Sequence, residues 1–512
     1  MNMRTKLFIL LILALGNFAC FDDKGNYDYS EFADLTIQNV ETQYEKILFK
    51  DTLEIEPKVT PAEKDYDYLW TINQRYGGES STVTNVKIDT ISTSPILSFP
   101  ITRPAGIYEI NLKVTDNESG YSIFSNTQLV IRSEFSLGYY ILKETVDGKT
   151  EVDLHTPSLV FNNLLASSPG GTISGKPVSM GLIFQYCHID NKTAEYVIPP
   201  ALALCTEDNV RIINLNDFTT IFTYDDMFYG DKPQRERPLY IYPNFFNITY
   251  LSTAGCNYNY QNGLGLPSAG KFGLPVPLEE PYEPSIHSIV ARGSYASFLY
   301  DVMNCRFFAF DANGDVNLFD EEGEIPNKLP STHKLLFLGY NDVAGEQGFA
   351  FFRDGDDRYL YSLYFDGYKN PIKDKVKIDA SLALSRATIM GNNEKQASLL
   401  YYAVDGKMYM YEIEQKRETE LNLSGFEGGE VTYISNRYWL SNQDEDNNFD
   451  YLAIGTYVNG RYKIYLYHTI GGIPNGQPER ILEGEGKVLK MHFLTPFMGS
   501  NDSAVKSYPC HF

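Results

Sequence analysis

Tryptophan and cysteine are scarce in this chain of 512 residues, with two Trp and six Cys. Cys20, Cys187, Cys205, Cys256, Cys305 and Cys510 include no CxxC pair, so neither a zinc site nor a disulfide framework is read from them. One pair, such as Cys187 with Cys205, and buried free thiols both stay open. The seven histidines show no HExxH or HxH spacing, and no Gly-x-Ser-x-Gly elbow occurs, which leaves zinc hydrolysis and serine-elbow hydrolysis without support. Positive charge is short as well: 43 Lys and Arg stand against 66 Asp and Glu, for a net charge of −23. With no basic run to offset it, that balance repels phosphate backbones and excludes nucleic acid as a partner. Beyond residue 15 no apolar run approaches the roughly 20 residues of a membrane-spanning helix, and amphipathic helical periodicity is hard to find.

What the chain does have is 39 Tyr, 31 Phe, 39 Gly and 25 Pro, a strand-and-turn composition that predicts an all-β protein. At the N-terminus, Arg4 and Lys6 precede an apolar run from Leu7 to Leu15 and then Gly16-Asn17-Phe18-Ala19-Cys20, the three-part layout of a signal peptide over residues 1–19. Ala19 directly before Cys20 resembles a lipobox, departing from it at Asn17 and Phe18, and implies lipidation at Cys20. A plain secretory signal is the alternative. Several acyl chains would anchor the protein stably, with membrane contact through the lipid alone. Phe21-Asp22-Asp23-Lys24 resembles the surface-export signal of lipoproteins that serve SusC/SusD-type importers, implying the outer membrane facing the cell exterior. Residues 20–34 are acidic, poor in aliphatic side chains and suited to a flexible tether.

Residues 35–132 hold seven short β-prone runs separated by turn residues, which predicts an Ig-like sandwich. Trp70 is its expected core tryptophan. Gly106-Ile107-Tyr108-Glu109-Ile110-Asn111-Leu112-Lys113-Val114-Thr115-Asp116 alternates inward and outward side chains, and resembles the G-x-Y-x-V-x-L-x-V-x-D strand of PKD-type domains. From 133 to 512, hairpin-like segments recur around Gly148, Asn209, Gly263, Gly314, Asp357, Gly406 and Gly460, at a spacing of about 50 residues. One central hairpin per unit predicts four-stranded propeller blades, seven of them, with six or eight open. Together with Gly25-Asn26-Tyr27-Asp28-Tyr29 and the segment Ser133–Glu144, the chain resembles the PKD-like family of surface lipoproteins with a C-terminal propeller. That resemblance implies association with SusC/SusD-like importer subunits and other surface lipoproteins, in oligopeptide or glycan uptake.

Chemistry-bearing motifs are sparse. Gly170-Gly171-Thr172-Ile173-Ser174-Gly175-Lys176 has the glycine and lysine spacing of a phosphate loop, but Pro177 replaces the metal-binding hydroxyl and removes a donor, so a surface loop is expected. Asp311, Asn313 and Asp315 alternate like calcium ligands, yet the glycine stands at the fourth place and not the sixth, which favours a hairpin turn. Tyr240, Tyr242, Tyr258, Tyr260 and Trp439 are candidate ligand contacts, with packing between blades the competing role. No cofactor is called for. The leading expectation is a non-catalytic accessory component of a nutrient importer, binding oligopeptide or oligosaccharide. Alternatives are a propeller hydrolase or lyase acting on extracellular glycan, and an envelope scaffold without ligand.

Overall fold

The computed structural model describes residues 35–494 apart from 75–87, 184–185, 234–235, 244–246, 261–268, 293–295, 312–313, 342, 344–346, 395 and 440–448, together with 510–511. Cys20, the leader and the 20–34 tether lie outside the described residues. The helical pieces among the described residues are two single turns, Leu164–Ser167 and Ala383–Arg386. Everything else that is ordered is strand, so the chain is all-β.

The first unit is a sandwich. Its larger sheet runs Gln43–Ile47, Ser122–Arg132, Gly106–Asp116, Tyr66–Gln74, Asp89–Ser92 across. Thr52–Ile55 pairs with Leu97–Pro100, and Thr36–Gln38 with Lys58–Thr60, to cover its inner face. Period-2 alternation buries Tyr108, Ile110, Leu112 and Val114 from the central strand against Trp70, Ile72, Leu53 and Leu97. Burial of Trp70 is complete, and its indole N–H donates to Ser94 O at 2.9 Å, so this tryptophan is core. Asp116 ends the strand for an electrostatic reason. It accepts from Lys64 Nζ at 2.8 Å, Ser119 Oγ at 2.8 Å and Glu118 N at 3.0 Å, and the Lys64 bond above all holds its carboxyl down at about 2. The strand Gln43–Ile47, which has little β signature in sequence, is added parallel to Ser122–Arg132.

The second unit is a propeller. Seven of its described sheets form a ring in which one strand of each touches the next in order: Lys487–Leu494, Pro177–Ile183, Pro238–Pro243, Ile289–Arg292, Lys334–Asn341, Ile389–Asn392 and Glu430–Trp439, which returns to Lys487–Leu494; a separate two-stranded sheet pairs His188–Ile189 with Tyr196–Val197, and Cys510–His511 adds to Ile289–Arg292. The first sheet joins the two ends of the region. Lys487–Leu494 supplies its inner strand, paired from Gly138↔Leu494 to Glu144↔Lys487, and Gly138–Glu144, Thr150–His155 and Val160–Phe161 supply the rest. Lys487–Leu494 thereby ties the far end of the region to its first strands. The third sheet has three strands, and its outer strand Gly255–Tyr260 is covered by irregular chain instead, with Val276 N donating to Cys256 O at 2.8 Å.

Neighbouring inner strands approach each other very closely. A Cβ on Gly181 would sit 2.0 Å from Ile241 O, and one on Gly391 would sit 2.9 Å from Ile434 O. These strands are parallel around the axis, since Asn392 Nδ2 donates to Tyr340 O while Asn341 Nδ2 donates to Asn393 O. The hairpin turns expected from sequence fall at one equivalent place in five sheets, between the second and third strands at Gly148, Asn209, Asp357, Gly406 and Gly460. Gly314 marks the next turn outward in the fourth sheet, and Gly263 lies outside the described residues.

A candidate groove between the fifth and sixth sheets

The fifth sheet continues outward as Gln347–Asp354, Asp357–Tyr364 and Ile372–Lys377, the sixth as Leu399–Val404, Lys407–Glu412 and Arg417–Leu421. At the face where inner strands end, the two sheets splay around a groove of about 300 Å³. Phe349 forms its buried floor. Tyr364, exposed by 39%, and Lys373 stand on the fifth-sheet wall, with the Lys373 ammonium 5.8 Å from the ring centroid. Glu414 and Ile413, from the turn after Lys407–Glu412, and Ser398 stand on the other, while Gln347 and Ser362 add amide and hydroxyl. One ammonium, one carboxylate, one aromatic plane and three uncharged hydrogen-bonding groups therefore converge on one concavity.

The loop that presents Ser398 is held from both sides. Asn341 Nδ2 donates to Asn393 O at 2.8 Å and Ala397 O at 3.2 Å, and Asn393 Oδ1 accepts Gln396 N at 2.7 Å. Gln396 Nε2 donates to Asp450 of the seventh sheet, while its Oε1 accepts Gly472 N at 2.8 Å. Thr469 Oγ1 also donates to Asp450, at 2.8 Å, and burial pushes that carboxyl above its ordinary value. Buried polar networks that are satisfied in this way rigidify what they hold.

The residues nominated from sequence are scattered. Tyr240 and Tyr242 are a correction: both are buried in the core between the third and fourth sheets, and the Tyr240 hydroxyl donates to Ile286 O at 2.7 Å. They pack between sheets and present no binding face. Tyr258 is half-buried against Gly314, where a Cβ would come within 2.8 Å of its ring. Tyr260 ends its strand and Trp439 ends the seventh inner strand, on the same face as the groove; the side chains of both lie outside the described residues. Asp311 serves the turn, accepting Asp315 N at 3.0 Å, Asn317 Nδ2 at 3.0 Å and Tyr368 Oη at 3.3 Å. Asp315 is exposed, and Asn313 is outside the described residues. In the 170–176 segment Gly171 O and Thr172 O accept from Arg211 at 2.6 and 3.2 Å, and Lys176 Nζ pairs with Glu144 at 3.2 Å, which is a surface-loop arrangement. Cys187, Cys205, Cys256 and Cys305 are buried free thiols, so Cys187 and Cys205 are not bonded to each other. Groove residues carry no motif: only the topology, which brings 347–373 beside 398–414, assembles them.

The molecule is thus an Ig-like sandwich joined to a β-propeller, with a polar groove between two blades. Residues 20–177 match the PKD-like family, a span that covers the sandwich and reaches into the first propeller sheet. No curated protein matches the chain. Solved structures similar to it include a quinonprotein alcohol dehydrogenase-like protein from Bacteroides thetaiotaomicron, at 13% identity and TM-score 0.36 over 90% of this chain and 100% of that one. A DUF4784 family protein from Bacteroides caccae gives 10% and 0.32 over 77% and 97%, and a protein from Lactobacillus plantarum 9% and 0.43 over 70% and 99%. These likenesses are too loose to carry an argument, and the architecture rests on the strand order itself.

Proposed function

We propose that this chain is a surface lipoprotein, anchored through Cys20, whose propeller captures oligopeptide for a SusC/SusD-type importer without catalysing a reaction. The observation that supports it is the groove. Its lining places Lys373 and Glu414 on opposite walls, matched to a short chain carrying a carboxylate and an ammonium or amide groups, with Tyr364 as a flat side wall for an apolar side chain. No histidine or cysteine lines it, and a single carboxylate offers no acid and base pair. Two experiments test the reading. Calorimetric titration of the mature protein with defined tri- to hexapeptides should show binding that Lys373→Glu weakens at least tenfold; equal affinity in that variant refutes the groove. Capture of the native lipoprotein from outer membranes should bring importer subunits with it, and its recovery alone removes the partner claim.

A further inference from the structure

Two charges face each other across the groove without meeting. Lys373 and Glu414 line opposite walls, and among the described residues neither forms an ion pair. Other cations of the same two sheets are paired: Lys369 with Asp366, Lys377 with Asp357, and Arg417 with Glu412. Each groove charge is presented by a local irregularity. Where Asp357–Tyr364 pairs with Ile372–Lys377, Ser362 stands opposite Asp374 and Leu363 opposite Ile372, so Lys373 is the extra residue of a β-bulge. A bulge re-aims its residue out of the strand's alternation, and the Lys373 ammonium comes to lie 5.8 Å from the Tyr364 ring centroid. Glu414 stands at the second position of a turn that Lys416 N closes by donating to Ile413 O at 3.4 Å. Ile413 N donates to Ser398 O at 3.1 Å, which ties this turn to the loop beside it.

We propose that the groove reads both ends of a short peptide, Lys373 taking the free α-carboxylate and Glu414 the free α-ammonium. This specificity rests on the groove being the peptide site proposed for it, and says which peptides enter. Internal amides carry no charge, so a chain running straight through leaves both residues uncompensated, whereas a zwitterion of matching length satisfies both with charge-assisted hydrogen bonds. The ends of an extended tripeptide lie roughly 7–10 Å apart. A cavity of about 300 Å³ is at the small end of ligand sites, in keeping with a ligand of that size. Ser362 and Ser398 remain for its internal amides, and Tyr364 for an apolar middle side chain.

Titration calorimetry of the mature protein with alanyl-phenylalanyl-alanine, its N-acetyl form, its C-terminal amide and the doubly blocked form is the test. Blocking either end should weaken binding by about fivefold or more. The losses should also be residue-specific. Lys373→Gln should bind the free and the amidated peptide equally while still discriminating against the acetylated one, and Glu414→Gln should do the converse. A mere change of groove shape would not sort the two ends between the two residues. Both side chains are exposed, and circular dichroism verifies that the variants fold. Equal affinity for the free and doubly blocked peptides overturns the proposal; if Lys373→Glu still weakens binding tenfold, the groove stands as a peptide site that ignores termini. End-blocking effects that persist unchanged in both Gln variants also overturn it. Binding of no peptide by the parent protein removes the peptide site itself.

Discussion

Replacing Asp153 with Asn should destabilise the propeller by about 3–5 kcal/mol, the cost of leaving a buried charge without its partner. The junction of the first and seventh sheets contains an ion pair with essentially no solvent exposure: Lys143 Nζ lies 2.7 Å from the Asp153 carboxylate. That carboxylate also accepts Tyr462 Oη at 2.8 Å and Asn163 N at 2.8 Å, and Tyr462 Oη meets His155 Nε2 at 3.0 Å. Burial, then the neighbouring Asp153, raises the Tyr462 hydroxyl far above its ordinary value, so the phenol stays a donor. Asn at 153 keeps only one of the two oxygens that accept Asn163 N and Tyr462 Oη, and strands the Lys143 ammonium in a fully buried site. Lys143→Met in the same chain removes that charge, so Lys143→Met/Asp153→Asn should recover most of the loss. Urea denaturation followed by circular dichroism measures both variants. At the entropy density of ordinary domains, about 4 kcal/mol corresponds to a fall of about 5 °C in the propeller transition. A loss under 1 kcal/mol in Asp153→Asn, or a double variant worse than the single one, refutes the reasoning.

Acid should weaken the protein through its buried and half-buried histidines. His287 is held down at about 4 by burial and then by Lys490, and burial likewise lowers His155, His188 and His333. Folded values below the unfolded 6.5 mean the unfolded chain binds more protons, so stability present above pH 6.5 is lost as pH falls through 6.5 toward 4. Glu151 and Asp450, raised by burial, act in the opposite sense from their ordinary values upward, so the clean measurement is a difference: between pH 7.5 and 5, the urea-derived stability of His287→Gln should fall by about 2 kcal/mol less than the parent's. An unchanged slope counts against the histidine account. Gly181→Ala should cost about 1–3 kcal/mol or more, because its Cβ meets a backbone carbonyl at 2.0 Å, and Gly391→Ala less, at 2.9 Å. Thermal melts that rank the two in reverse order, or place Gly181→Ala within 0.5 kcal/mol of the parent, contradict the close approach.

The sandwich and the hairpins were legible because their signals are local. Residues 106–116 alternate in sequence as they do in burial, and turn residues recur between the second and third strands of five sheets. Gln43–Ile47 escaped because its side chains are mostly polar and its pairing partner lies over 80 positions away in sequence, at Gln128 onward. The aromatic cluster around 240–260 misled for a different reason. Tyrosine density marks a surface that is apolar with polar tips, and between blades that description fits the core equally well, with Tyr240 Oη satisfied by a carbonyl. Alternation at 240 and 242 places both on one side of a strand without saying whether that side meets solvent or the next sheet. The groove was invisible because its residues come from two sheets and have no common spacing.

Which way the groove points follows from the junction of the two units. Ala105 N donates to Asn216 Oδ1 at 3.2 Å, and Ser133 Oγ to Leu215 O at 2.7 Å. Leu215 and Asn216 belong to the turn after Val210–Asn214, the third strand of the second sheet. Tyr364, Ile413 and Glu414 stand at the same end of the third strands in the fifth and sixth sheets. Because successive sheets repeat one strand order around the ring, the sandwich and the groove share a face, seated at different places on its rim. Lys50 pairing with Glu134 adds a charge contact at the same junction. The groove therefore does not lie on the side opposite the sandwich. The junction holds the groove and the sandwich on one body.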